Sequence, residues 1–136
     1  MVDLKWTSYS EVDPKREYYA VIGMGERKSV LSFFTFVMRA RAVQKQAKTA
    51  KGLIGNMGRV EFLGKKVINF AVFEDEKAEN EFVHTGAHGK CMETTKTAMK
   101  GEGKYARWQI SGSDLPPKLE DGIKRIQSEE TKQKPS

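Results

Sequence analysis

A regular alternation of apolar and other side chains begins at Glu17 and extends along the run EYYAVIGMGERK. A period of two is the pattern of a β-strand, because successive side chains of a strand point to opposite faces. One face of this predicted strand, residues 17–28, holds Tyr18, Ala20, Ile22 and Met24, and the other holds Tyr19 and Val21. Both faces are apolar enough to be buried.

After this strand the apolar positions recur every three or four residues, which is typical of an amphipathic helix. Ser29 or Ser32 can cap the start of the helix, and Gly52 suits the C-cap position after its end. The apolar stripe consists of Phe33, Val37, Ala40, Val43, Ala47 and Ala50. Two strand-like runs follow at residues 53–63 and 66–74, with a connection short enough for a hairpin.

A second helix and a fourth strand follow the hairpin. Asp75 can cap the second helix, whose acidic first turn complements the positive end of the helix dipole. The helix runs to about Met99, and Gly86 and Gly89 should bend it. The run KYARWQI predicts a fourth strand. A loop with paired prolines leads to a short closing helix with an apolar stripe at Leu119, Ile123 and Ile126.

This order, βαββαβ, predicts an α+β fold of the ferredoxin-like type, with a four-stranded antiparallel sheet and both helices on one face. A length of 136 residues suits one domain. We assign that domain to residues 17–127. Residues 1–16 are expected to form an N-terminal arm from which Trp6 docks, and residues 128–136 a frayed tail.

The third predicted strand indicates a partner for the sheet. Its apolar side chains point both ways: Val67, Ala71 and Phe73 lie on one face with Asn69, and Ile68, Phe70 and Val72 lie on the other. If the helices cover one face only, the other exposes too much apolar surface to water. The sequence therefore predicts a homodimer that stacks sheet on sheet.

The net charge of +6 is unevenly distributed. Residues 27–51 carry seven basic groups and no acid, whereas residues 74–82 carry five acids and one lysine. A basic segment attracts nucleic acid, or it is the solvated face of a helix. The third strand, KKVINFAVF, lacks the aromatic motif of an RNA-recognition domain, so nucleic acid is the less favoured partner.

The remaining composition bears on location. No apolar run approaches the roughly 18 residues that span a bilayer, and the first residues lack the apolar stretch of a signal peptide. The single cysteine, Cys91, cannot form an internal disulfide. We therefore expect a cytoplasmic protein without a membrane partner.

Four possible metal ligands, Glu81, His84, His88 and Cys91, follow one another at offsets of three, four and three residues. Such offsets place side chains on one helix face, and all four types bind zinc. Because Gly86 and Gly89 interrupt the helix, and because any inward-facing stripe has these offsets, structural histidines are favoured over a metal site. A single histidine that serves a pocket or a haem is the other interpretation.

The fourth strand separates two kinds of side chain. Tyr105, Arg107 and Gln109 share one face, and Ala106, Trp108 and Ile110 share the other. A polar, cationic face inside a closed sandwich would orient a ligand. The alternative is that Arg107 pairs with an acid at the sheet edge and Trp108 belongs to the core.

Three segments resemble the antibiotic-biosynthesis-monooxygenase-like dimeric α/β-barrel family, over about residues 18–126. INFAVFEDEKAENEFVHTGAHGKCM resembles the third strand and second helix of that family, and AKGLIGNMG resembles its helix-to-strand junction. YARWQISGSDLPPKLEDGIKRI resembles the last strand, proline loop and closing helix of a branch related to spheroidene monooxygenase. Phe73 stands where many relatives have tryptophan.

The resemblance implies a homodimer with a cavity for a small hydrophobic ligand between the sheet and the helices of each subunit. Members of the family include cofactor-free oxygenases and haem-binding enzymes. His88 matches the family's motif histidine, and Trp108 matches its last-strand tryptophan. Together with the residues singled out above, the candidate site has His88 as the catalytic or haem-binding group, His84 as a second cofactor-binding candidate, and Phe82, Tyr105, Arg107 and Trp108 as pocket residues. The sequence does not separate an oxygenase from a non-catalytic ligand-binding or structural protein.

Overall fold

A computed structural model gives the architecture of the chain, and it describes residues 2–26, 28, 33–47, 51–61, 63, 65–83 and 103–133. Five strands form one antiparallel sheet: β1 (Val2–Ser8), β2 (Glu17–Glu26), β3 (Leu53–Val60), β4 (Lys66–Phe73) and β5 (Lys104–Ser111). The helices are α1 (Phe33–Ala47), α2 (Glu76–Val83) and α3 (Leu119–Gln133), and a 3-10 turn spans Gly112–Asp114.

The strands lie in the order β1-β3-β4-β2-β5. The last four of them have the ferredoxin-like order, and β4 is the central strand. The α+β fold predicted from the sequence is confirmed. The predicted hairpin between β3 and β4 is also present. Gly52 has a φ of +85°, a conformation that glycine adopts without a Cβ clash, just before β3 begins.

The N-terminal arm predicted for residues 1–16 is wrong for its first half, because Val2–Ser8 is an edge strand that pairs with β3. Leu4 and Trp6 alternate with Asp3 and Lys5 in this segment. The register with β3 shifts between Leu4 and Thr7, so Leu4 lies opposite Gly58 on one face of the sheet and Trp6 lies beside Gly55 on the other. Trp6 does dock as expected: its half-buried ring packs on the core beside Gly55, where a Cβ would overlap it.

The two faces of the sheet carry different helices. We call the face that holds Val21, Ala71 and Phe73 the front face, and the face that holds Ile22 and Phe70 the back face. On the front face, α1 packs on β3 and α2 packs on β3 and β4. On the back face, α3 packs on β5 and β2. The prediction that the first two helices share one face is confirmed, but the expectation that the other face has no helix is wrong, because the closing helix α3 packs on it.

Gly122 explains how α3 approaches the back face so closely. A Cβ at this position would lie 2.5 Å from Cδ1 of Ile22 and 2.6 Å from Cε2 of Phe70. Ile126, one helical turn further on, is fully buried in the same cluster. The helix continues to Gln133, so the frayed tail predicted for residues 128–136 is wrong over residues 128–133. Residues 134–136 lie outside the described residues. The last turns of α3 are rich in Glu, Lys and Gln, which favour helix.

Candidate functional site

The apolar core of the front face is divided into two clusters. Under α1, Phe33 and Val37 pack with Val60, and Val67 packs against them. Under α2, Ala78 and Phe82 pack with three residues of the sheet, which are Leu53, Ala71 and Phe73. The two clusters are separated by one row of residues that crosses the sheet.

This central row consists of Tyr105, Gly23, Asn69 and Gly58, which are direct cross-strand neighbours. Asn69 lies in the middle of the central strand, yet its side chain is exposed. The two glycines beside it add no side chain to the surface. We call this place, where the central row lies between the two clusters, the front opening. At this place the Asn69 side chain is accessible from the front, whereas Gly58 beside it is buried.

Tyr105 borders the front opening at the β5 edge. Its ring lies over Gly23, where a Cβ would be 2.9 Å from the ring atom Cε1. The side chain is 53% exposed. The guanidinium of Arg107 lies 5.5 Å from the centre of the same ring, which is a cation–π distance.

Arg107 joins the edge strand to α2 by an ion pair with a buried carboxylate. Its Nε donates a hydrogen bond of 2.8 Å to Oε1 of Glu79. Glu79 is only 6% exposed. The interpretation that Arg107 pairs with an acid is thus confirmed. The role of Glu79 was missed, although it lies on the same side of the helix as the apolar Ala78 and Phe82, which was the available signal.

A buried asparagine and a partly buried tyrosine form a second polar pair on the front face, in the row next to the central row. Oδ1 of Asn56 accepts a hydrogen bond of 2.9 Å from the hydroxyl of Tyr9. Burial raises the pKa of Tyr9, and hydrogen bonds to Thr7 and Asn56 oppose the rise. The two residues are far apart in sequence, so no local pattern predicted the pair.

Tyr19 lies on the front face of the sheet, on β2. Burial raises the pKa of its hydroxyl, the carboxylates of Glu76 and Glu79 raise it further, and Arg107 opposes the rise. Neutral tyrosine is therefore the form present at and above neutral pH, and a neutral hydroxyl can donate a hydrogen bond.

The structure does not bring the four predicted pocket residues together. Tyr105 and Arg107 border the front opening, and Phe82 belongs to the core under α2, with its ring 5.6 Å from that of Phe73. Trp108 points to the back face, where its ring meets Phe70 edge-on at 5.4 Å. A single pocket containing all four is wrong, because neighbouring strand residues face opposite sides of the sheet.

The histidines named as catalytic or haem-binding groups, His84 and His88, lie outside the described residues, as does Cys91. The haem expectation stays a prediction. In the part of the chain that the structure describes, no group of three or more His, Cys, Asp or Glu residues is placed to hold a metal ion. No described helix combines the length and the apolar character needed to cross a membrane. The basic residues Arg41 and Lys45 lie on the exposed side of α1.

Solved structures with the same fold come from bacteria and archaea. A Nitrosomonas europaea protein provisionally named an antibiotic biosynthesis monooxygenase has a TM-score of 0.63 and 14% identity, covering 74% of this chain and 92% of its own. A second N. europaea protein, of unknown function, has a TM-score of 0.59 and 14% identity, covering 76% and 94%. A conserved protein of Methanosarcina mazei Go1 has a TM-score of 0.60 and 9% identity, covering 67% and 90%.

No family model matches the chain, and no curated protein matches it. At the identities of the solved structures, likeness establishes the fold and not the reaction. The chain has the fold of antibiotic biosynthesis monooxygenase-like proteins, which confirms the resemblance at that level.

Proposed function

We propose that the protein binds a small hydrophobic ligand at the front opening and acts on it in a monooxygenase-like way. The observation that carries the proposal is the exposed side chain of Asn69 in the central strand, between two helix-covered clusters. A central strand is ordinarily covered on both faces in a fold with helices on both sides. The names of similarly folded proteins support the choice of reaction class.

The residues around the opening suit a mainly apolar ligand that carries an oxygen atom. Val21 and the Tyr105 ring supply apolar contact. The Asn69 amide can donate and accept hydrogen bonds, and Arg107 places a cation at the edge. Binding sites commonly combine apolar walls with a few polar groups that fix orientation. Monooxygenase-like chemistry here would use dioxygen as the oxidant, and these side chains would hold the substrate.

The haem version of the proposal depends on His88. Among the described residues around the opening, only Tyr105 has a side chain of a type that ligates haem iron. In the cofactor-free version, the described groups around the opening would contribute binding and orientation.

The probe for the front opening is 1-naphthol, a small apolar molecule with one hydroxyl. Its titration should shift the backbone amide NMR signals of Gly23, Gly58 and Asn69. Asn69→Leu fills the opening and removes the amide, and we expect it to weaken binding by about tenfold, a loss of about 1.4 kcal/mol. The matched control is Asn80→Leu, since Asn80 is exposed on α2.

Equal binding by the two leucine variants, or shifts confined to the back face, would contradict the site. Oxygen uptake with 1-naphthol, compared between the unchanged protein and Asn69→Leu, tests the oxygenase part separately. Binding without uptake would leave a ligand-binding protein.

We further propose that the protein is a homodimer through the β1–β3 half of the back face, which α3 leaves uncovered. Trp6 and Met57 are only partly buried there. Sedimentation equilibrium at micromolar concentration should give twice the chain mass of 15.4 kDa. Met57→Glu should shift the mass toward the monomer, whereas Arg41→Glu, a change on the exposed side of α1, should leave it unchanged.

A monomer mass for the unchanged protein would reject the dimer. Charged substitutions on the two faces of the central strand, at Ala71 and Val72, would not test the dimer. These residues are already 6% and 0% exposed in the single chain. Both changes would disrupt the core of the subunit itself.

A further inference from the structure

The back face carries a groove between β5 and α3 that is separate from the front opening. Its volume is about 630 Å³, within the range of about 300–1,000 Å³ that is usual for ligand pockets. The whole thickness of the sheet separates the two places. The groove is lined by Trp108 and Ile110 of β5, by Pro117, and by Asp121, Lys124 and Arg125 of α3.

The aromatic floor of the groove is held in place by the core. Trp108 is half-buried, and its ring meets Phe70 edge-on at a centroid distance of 5.4 Å and an angle of 76°. Phe70 has no exposed surface. Because Phe70 cannot move without disturbing the central strand, the indole ring is a rigid surface, which lowers the entropy lost when a planar ligand packs on it.

A cation stands directly beside this floor. The guanidinium carbon of Arg125 lies 4.8 Å from the centre of the Trp108 ring. A guanidinium over an aromatic ring keeps its N–H edge available, and this edge matches the two oxygens of a carboxylate. Lys118 and Lys124 also line the groove.

None of these three basic side chains forms an ion pair with an acid whose side chain the structure describes, a set that leaves out Glu129 and Glu130 of α3. Two acids, Asp114 and Asp121, line the groove as well, so its charged side chains sum to one positive charge. Such a balance favours a small anion over a polyanion such as nucleic acid, for which a continuous basic surface is needed.

We propose that the groove binds an aromatic carboxylate, with its ring on Trp108 and its carboxylate on the N–H edge of Arg125. This site lies apart from the front opening and does not depend on the reaction proposed there. The rigid indole, the cation over it and the open volume beside both are the juxtaposition that points to this ligand class.

The probe is 2-naphthoate, followed through the two indole N–H signals of the protein in an NMR titration. The signal of Trp108 should shift, whereas that of Trp6, on the far edge of the sheet, should not. Arg125→Gln removes the charge and keeps most of the side chain, and it should weaken 2-naphthoate binding by about tenfold or more. Because Arg125 is exposed, this variant should fold.

Two controls separate the carboxylate contact from general charge. Arg41→Gln removes one positive charge from an exposed position on α1 and should leave the affinity unchanged. The neutral amide 2-naphthamide should bind the unchanged protein more weakly than 2-naphthoate does. The two compounds should bind Arg125→Gln with equal affinity. An unshifted Trp108 signal at millimolar 2-naphthoate would overturn the proposal, and so would equal losses in the two glutamine variants. Naphthoate binding that persists while 1-naphthol fails at the front opening would reject the proposed function and keep this site.

Discussion

Phe70→Ala is expected to lower the free energy of unfolding by about 3–5 kcal/mol, the usual cost of truncating a buried phenylalanine. Phe70 lies in the central strand and has no exposed surface. Its ring packs against α3 at Gly122 and meets the ring of Trp108 edge-on. The substitution would leave a cavity where β4, β5 and α3 meet, so the loss should be measured by urea unfolding followed by circular dichroism.

The control for this change is Phe34→Ala. Phe34 is 72% exposed on α1, so the same truncation there should cost less than about 0.5 kcal/mol. The Phe70 variant should also move the indole N–H signal of Trp108, because the ring that holds the indole is gone. A cost below about 1 kcal/mol at Phe70 would mean that α3 does not pack on the back face.

The elements of the ferredoxin-like core could be predicted because each has a strong local pattern. Alternation in β2 and β4 placed their side chains on the correct faces, including Asn69 on the front. The first strand was missed because Asp3 and Lys5 make its composition polar. Its apolar residues also mark no single face, because the register with β3 shifts between Leu4 and Thr7 and places Leu4 and Trp6 on opposite faces of the sheet.

The position of α3 could not be predicted from its apolar stripe. A stripe at helical spacing shows which side of a helix is buried but not the surface that buries it. Gly122 is the residue that allows contact with the back face, and a glycine inside a helix ordinarily signals only weak propensity. Its meaning depends on Ile22 and Phe70, which lie far away in the sequence.

The candidate site could be predicted only in part, because local patterns show which face a residue occupies but not what packs on that face. The alternation of KYARWQI already placed Arg107 and Trp108 on opposite faces, and only the family resemblance joined them in one pocket. The acid that pairs with Arg107 could be expected in kind, but its identity depends on how α2 lies over the sheet. Asn69 carried no signal as a site residue, because its exposure results from the gap between the two front-face clusters.

The pair of Arg107 and Glu79 should show a large and asymmetric response to substitution. Arg107→Met leaves the Glu79 carboxylate, whose side chain is 8% exposed, without its partner. Breaking a fully buried pair costs about 3–5 kcal/mol, and because the Arg107 side chain is 46% exposed we expect about 2–3 kcal/mol. Glu79→Gln should cost only about 1 kcal/mol, because the amide still accepts a hydrogen bond from a half-exposed guanidinium.

The opposite edge of the sheet offers a matched control. Arg59 donates to Asp3 over the same 2.8 Å, but the Asp3 side chain is 51% exposed. Arg59→Met should therefore cost at most about 1 kcal/mol, since water can solvate the carboxylate that remains. Urea unfolding of both methionine variants compares two ion pairs with the same geometry and different burial, and equal losses would contradict the argument from burial.

A second measurement distinguishes an electrostatic loss from a packing loss. Arg107 lowers the pKa of Tyr19 against the opposing effects of burial and of Glu76 and Glu79. In Arg107→Met the pKa of Tyr19 should therefore rise further, which a pH titration of the tyrosine ring carbons by NMR would detect. The double variant Glu79→Leu with Arg107→Met removes both charges, so it should recover much of the stability lost in Arg107→Met. An unchanged Tyr19 pKa in Arg107→Met, together with a double variant no more stable than it, would show that the ion pair does not join α2 to β5 beside the front opening.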